Sequence, residues 1–150
     1  MPDEIRDILV GTLLGDAHIS RRSPTSNTRL TYAQTAVAHK EYFDYVYSFF
    51  ITFCVDSYIP QLKIVRDNRT KKLYSAISFT TMQLPCFNVF KQMFYVLNVK
   101  IVPNNIYELL TPRGLLLPIK SSSLLICKSS SLLKLKIHLT RKLITSVINY

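Results

Sequence analysis

Two glycines four residues apart, Gly11 and Gly15, close the first apolar-periodic stretch of the chain, and an acid, Asp16, follows at once. Ile5, Ile8, Leu9, Thr12 and Leu13 recur there at i, i+3, i+4 spacing. Pro2, Asp3 and Glu4 supply the acidic entry that complements a helix N-terminus. The spacing predicts a helix over residues 3–16. Glycine inside a helix costs about 1 kcal/mol relative to alanine, so a pair on one face is expected where the backbone must approach another helix closely. Gly11 and Gly15 are therefore candidate interface residues.

Downstream the period changes. Arg21 to Asn27 is turn chemistry, and it separates a short strand at 18–22 from an alternating run at 29–37. Residues 40–54 carry Tyr42, Phe43, Val46, Phe49, Phe50 and Phe53 at helical spacing and should form core. A second hairpin is predicted from residues 59–66 and 72–80, joined by the polar stretch Asp67-Asn68-Arg69-Thr70-Lys71. A third helix should begin near Leu84-Pro85, present Phe87, Phe90, Met93, Phe94 and Leu97, and stop at Asn98. A short helical turn is expected around 106–110. The order to residue 97 is helix, strand, strand, helix, strand, strand, helix, an α+β pattern.

At 150 residues the chain is of one-domain length. Its net charge of +10 favours a polyanionic partner, nucleic acid or an anionic membrane surface. The excess is uneven: residues 1–112 hold twelve basic and nine acidic residues, and residues 113–150 hold seven basic residues and no acid. The last 36 residues also repeat Lys120-Ser-Ser-Ser-Leu-Leu125 as Lys128-Ser-Ser-Ser-Leu-Leu133, which reads as low complexity because stacked repeats need longer periods and more copies. Cys54, Cys86 and Cys127 are far apart and odd in number, which argues against a disulfide framework or a clustered zinc site and for a reducing interior. The acidic start is unlike a signal or transit peptide, and no apolar run reaches the roughly 18 residues of a membrane span, so no membrane location is expected.

The segment Leu9-Val10-Gly11-Thr12-Leu13-Leu14-Gly15-Asp16-Ala17 resembles the signature of LAGLIDADG homing endonucleases. Tyr32-Ala33-Gln34, His39-Lys40-Glu41-Tyr42-Phe43, Phe79-Thr80-Thr81, Val102-Pro103-Asn104-Asn105-Ile106 and Leu110-Thr111-Pro112-Arg113 are similar to the fungal mitochondrial intron-encoded branch of that family. The resemblance implies a half-domain whose antiparallel saddle sheet carries its helices on one face. It also implies that two signature helices pack through their small residues, each supplying a carboxylate that holds a divalent metal, normally Mg²⁺, between the scissile phosphates of double-stranded DNA. Asp16 matches the first of those acids, as metal ligand and catalytic residue. Lys100 falls where the family often keeps a basic residue near the scissile phosphate. His18 could reach the same phosphate or be structural, and His39 is expected to cap the second helix. Mitochondrial encoding, with the product in the matrix, follows from the same resemblance.

A two-stranded ribbon fits the DNA major groove, with side chains alternating between core and groove. The candidate DNA contacts are Arg21, Arg22, Arg29, Gln34, Gln61, Lys63, Arg66, Arg69, Lys71 and Lys72. Arginine and glutamine suit bidentate base contacts, and Lys71 and Lys72 in a turn suit phosphate. A solvated charged face is the competing explanation for each.

The resemblance stops near residue 114. Relatives with two signatures continue into a second helix, whereas here Leu115-Leu116-Leu117-Pro118-Ile119-Lys120-Ser121-Ser122-Ser123 has a proline inside the required helix and Ser122 where the second acid belongs. The expected organisation is a half-domain at 1–97, a linker at 98–114 toward a lost second half, and a basic Leu/Ser-rich replacement tail at 115–150. Cleavage would then need a homodimer joined through Gly11 and Gly15. Three readings stay open: a homing DNA endonuclease, active or degenerate; an intron maturase that binds RNA without cutting; and membrane-surface binding by the tail.

Overall fold

The computed structural model describes residues 1–66, 71–111 and 114. The elements in chain order are α1 (Asp3–Leu14), β1 (His18–Arg21), β2 (Thr28–Thr35), α2 (Ala36–Phe50), a 3-10 turn (Ile51–Phe53), β3 (Leu62–Arg66) and β4 (Leu73–Thr80). A second 3-10 turn (Pro85–Phe87), α3 (Asn88–Phe94), β5 (Tyr95–Val96), β6 (Val99–Lys100) and α4 (Ile106–Leu109) follow. The first four strands form one antiparallel sheet in the order β1-β2-β4-β3, and β5 pairs with β6. This is the expected α+β half-domain, with a small extra hairpin after α3.

The core lies on one face of the sheet. Along β2, Thr28, Leu30, Tyr32 and Gln34 are buried and the residues between them are not, as a pleated strand with one covered face requires. Tyr32 pairs with Phe79 and Gln34 with Ile77 across the β2–β4 ladder, so the buried faces coincide. Phe79 is the hub: its ring lies 5.6 Å from Phe43, 5.9 Å from Phe50, 5.3 Å from Tyr47 and 5.7 Å from Tyr32. Ile8, Leu9, Val10 and Leu13 of α1 complete the same cluster, each with no exposed surface. Burial of such a side chain contributes roughly 1.5–3 kcal/mol.

Three boundaries depart from the sequence expectation. The first helix stops at Leu14, and the N–H groups of both Gly15 and Ala17 bond to Thr12 O, at 3.0 and 3.1 Å, which turns the chain. Gly15 is consequently outside the helix and shares no helical face with Gly11. Helical structure begins four residues early, at Ala36, but His39 (φ −133°, ψ 22°) is non-helical and joins a first turn to the main helix at a kink, so the main helix runs from Lys40, with His39 at its head as expected. The third helix ends at Phe94, and Leu97 (φ 49°) and Asn98 (φ 63°) form the β5–β6 turn, leaving Leu97 94% exposed instead of in the core stripe. Lys100 therefore lies in a strand.

Gly11 meets the chain itself. A Cβ on Gly11 would lie 2.2 Å from Gly114 O, and one on Gly114 would lie 2.7 Å from Asp7 O, so two backbone segments touch where neither tolerates a side chain. Thr111 fixes this crossing: its hydroxyl donates to Asp7 Oδ2 at 2.8 Å and accepts from Gly114 N–H at 3.2 Å, the bond an N-cap threonine makes to the N–H three residues on. The close backbone approach expected at Gly11 is thus made by Gly114 of the same chain. The proline and serine positions of the tail and its repeat lie outside the described residues.

Candidate functional site

Asp16 follows the end of α1 and is half-buried. The turn that ends the helix carries its carboxylate to Gln34, whose Nε2 donates to Asp16 Oδ2 and also to Tyr32 Oη at 3.1 Å. Tyr42, on α2, lies beside Tyr32, and the two phenols influence each other's ionisation. Gln34 was expected to face a DNA groove. It is instead buried, because it is in phase with Leu30 and Tyr32 along β2, and its amide serves the acid.

Lys100 arrives from the opposite side. Its Nζ donates to Gly15 O at 2.9 Å and Ala17 O at 2.7 Å, the two carbonyls flanking Asp16. The β5–β6 hairpin that carries it is anchored on β1, since Tyr95 Oη accepts from Ile19 N–H at 3.0 Å and Lys91 Nζ donates to Ile19 O at 3.4 Å. Lys91 Nζ also stands 3.7 Å from the centre of the Tyr95 ring, a cation–π contact. Residues 16 and 100, remote in sequence, are thus brought together with Gln34 at one end of α1. His18, across the ladder from Thr31, points to the sheet's open face. Burial lowers its pKa, and the neighbouring Lys100, Arg29 and Lys91 lower it further by repulsion.

The ionisation of the tyrosines follows from their setting. Burial pushes Tyr32 up to about 12, and burial raises Tyr42 too, so both phenols stay neutral hydroxyls at any working pH.

Registration divides the other candidate DNA contacts. By pairing and alternation, the face opposite the core presents His18 and Ser20 from β1, Arg29, Thr31, Ala33 and Thr35 from β2, Tyr74, Ala76, Ser78 and Thr80 from β4, and Lys63 and Val65 from β3. Arg29 and Lys63 fall on this open face, and Gln61 joins Lys63, Tyr58 and Ser78 in lining a cleft of about 490 Å³ at its edge. Arg21 and Arg66 have the opposite phase. Arg21 pairs with buried Thr28 and donates to Pro24 O at 3.2 Å, and Arg66 pairs with Leu73. Arg21 is exposed at a strand end, and Arg66 belongs to an edge strand whose five residues are all exposed. Arg22, Lys71 and Lys72 lie exposed in connections, Lys71 with φ 59°, and Arg69 lies outside the described residues.

Among the described residues no group of three or more His, Cys, Asp or Glu side chains could cage a metal. One half-buried carboxylate is nevertheless a suitable donor for Mg²⁺, a hard ion that keeps several waters and is commonly held by one or two carboxylates together with substrate phosphates. No helix among the described residues is long and apolar enough to cross a membrane. Sequence reading missed Tyr32 and Tyr42 as members of this site, although Tyr32 stands two residues before Gln34, the strand spacing that puts both on one face.

Comparison with known proteins gives four findings. The model of the LAGLIDADG DNA endonuclease family matches residues 6–150, reaching beyond residue 114 to the end of the chain. The chain is 29% identical over 114 residues to the cytochrome b mRNA maturase bI2 of Debaryomyces hansenii, covering 75% of this chain and 42% of that protein. It is 26% identical over 119 residues to the cytochrome b mRNA maturase bI2 of Saccharomyces cerevisiae, covering 74% of this chain and 27% of that one. Among solved structures, the homing endonuclease I-WcaI bound to its DNA recognition sequence superposes with a TM-score of 0.67 at 17% identity, over 77% of this chain and 49% of that chain, a likeness of fold. The chain spans half or less of the length of each of these relatives.

Proposed function

Because this chain belongs to the LAGLIDADG DNA endonuclease family, we propose that it is the first half of a homing endonuclease site, hydrolysing phosphodiesters of a long duplex target with Mg²⁺. The observation that carries this reading is the meeting of Asp16, Gln34 and Lys100 at the end of α1. Mitochondrial encoding by an intron is part of the proposal, supported by relatives that mature cytochrome b mRNA.

In this reading Asp16 is the metal ligand. The chemistry the ion supplies when bound is neutralisation of phosphate charge and activation of the attacking water. The chain's own residues do the rest. Gln34 orients the carboxylate, and Lys100 brings a fixed positive charge to the same end of the helix, where charge develops on the phosphate. Arg29 and Lys63, with the small hydroxyl and methyl side chains between them, give the open face a contour that a major groove can approach, with Gln61 at its edge. Double-strand cleavage in this family needs a second carboxylate beside the first.

The names of the two maturase relatives favour a second reading, in which the same open face holds folded intron RNA and no bond is cut. One experiment separates them. The purified chain is offered a pool of long intronless duplexes with Mg²⁺, and the intron RNA in parallel. Cut ends that disappear on Asp16→Asn support the nuclease. Intron-specific RNA binding that is indifferent to Asp16→Asn, with no cut DNA, replaces it by the maturase.

A further inference from the structure

Asp16 is held by a residue that is itself held. Gln34 Nε2 carries two hydrogens, and both are used: one on Asp16 Oδ2, the other on Tyr32 Oη at 3.1 Å. A carboxamide is planar, so anchoring both N–H bonds fixes the plane and excludes the flipped orientation in which Oε1 would face the carboxylate. The second anchor is unusually rigid for a side-chain hydroxyl. Tyr32 is 1% exposed, its ring stacks on Phe43 at 5.9 Å and 15° and leans on Phe79 at 5.7 Å, and Tyr42 of α2 lies beside it.

Packing alone does not ask for this hydroxyl. Phenylalanine would fill the same aromatic cluster without the cost of burying a polar atom, which only bonded partners offset. The one acid at the end of α1 needs such support, because it lies beyond the helix in a turn where no packed turn of helix fixes its rotamer.

We propose that Tyr32 is a positioning residue for the Asp16 carboxylate, acting through Gln34 and backed by Tyr42, so that the acid meets a divalent cation in one orientation. The inference rests on the reading of Asp16 as a metal ligand. Outer-shell partners of metal ligands typically contribute 10–100-fold in affinity, and the burial that keeps Tyr32 a neutral hydroxyl makes it a fixed dipole and not a proton carrier.

The test is a Mn²⁺ titration of the full chain, read as paramagnetic broadening of the Gly15, Asp16 and Ala17 backbone amides, with thermal unfolding of each variant alongside. Tyr32→Phe is expected to weaken Mn²⁺ binding about 10-fold while unfolding within a few degrees of the parent. Gln34→Leu should do the same, and the double variant should lose no more than either single one, since the two residues act in series. Tyr42→Phe, which leaves Tyr32 and Gln34 intact, should lose less, and it carries the test if Tyr32→Phe does not fold. Asp16→Asn should abolish the effect. If Asp16→Asn removes the broadening but Tyr32→Phe, or Tyr42→Phe in its place, binds as the parent does, the positioning role is wrong and the metal ligand stands. If Asp16→Asn leaves the broadening unchanged, the metal reading fails, and this inference with it.

Discussion

In β2 buried and exposed residues alternate from Thr28 to Thr35, whereas all five residues of β3, Leu62–Arg66, are exposed. Both strands carry apolar residues in alternate positions. Leu62 and Ile64 of β3 have the same phase as Ile77 and Phe79 of the neighbouring strand, yet they remain 63% and 78% exposed while Phe79 is fully buried. The difference is cover. Phe43 and Phe50 of α2 reach Phe79, while β3, at the sheet edge, is exposed along its whole length and no described helix covers it. An apolar alternation therefore specifies which side chains share a face but not whether anything lies on that face.

The contrast can be broken most directly at its centre. Phe79→Ala should cost about 3–5 kcal/mol in urea denaturation; a loss no larger than that of an edge-strand substitution would mean that the covered and uncovered parts of the sheet are equally packed. Gly11→Ala tests another covered surface and should cost about 1–3 kcal/mol, the usual effect of overpacking, because the new methyl would meet a backbone oxygen, Gly114 O, at 2.2 Å. If its stability equals the parent's, the crossing is not formed in solution.

The two faces are separated next. Arg29→Ala, on the open face, should lower the slope of log affinity for duplex DNA against log salt by about one. Arg66→Ala, on the core-side phase, should leave the slope unchanged, and equal effects would show that strand phase does not select the DNA contacts. Ile64→Thr is the smallest expected change, within about 0.5 kcal/mol of the parent because the side chain is already in water. A larger loss would reveal a hidden partner for β3.

Much of this was legible beforehand. The helix, strand, strand, helix, strand, strand, helix order follows from switches between helical and strand periods, and the signature segment and Asp16 stand in plain view. The errors have specific causes. Gln34 was grouped with groove-facing residues by chemical type, although its phase with Leu30 and Tyr32 gave the opposite face. Leu97 fits a helical stripe, but the helix ends at Phe94 and the chain passes through β5 into the turn that holds Leu97. Gly11 correctly signalled a close backbone approach, while its partner, Gly114, is a hundred residues away and carries no periodic mark.

What the sequence determined by itself is therefore what propagates locally along a chain: the periods, the breaks between them, the charge and the position of the acid. Only the tertiary structure decided that Lys100 lies against the carbonyls on either side of Asp16, that both hydrogens of Gln34 Nε2 are engaged, and that β3 is left exposed. Those outcomes depend on which distant segments meet. That is settled by the joint packing of α1, α2 and the sheet, which no window of neighbouring residues contains.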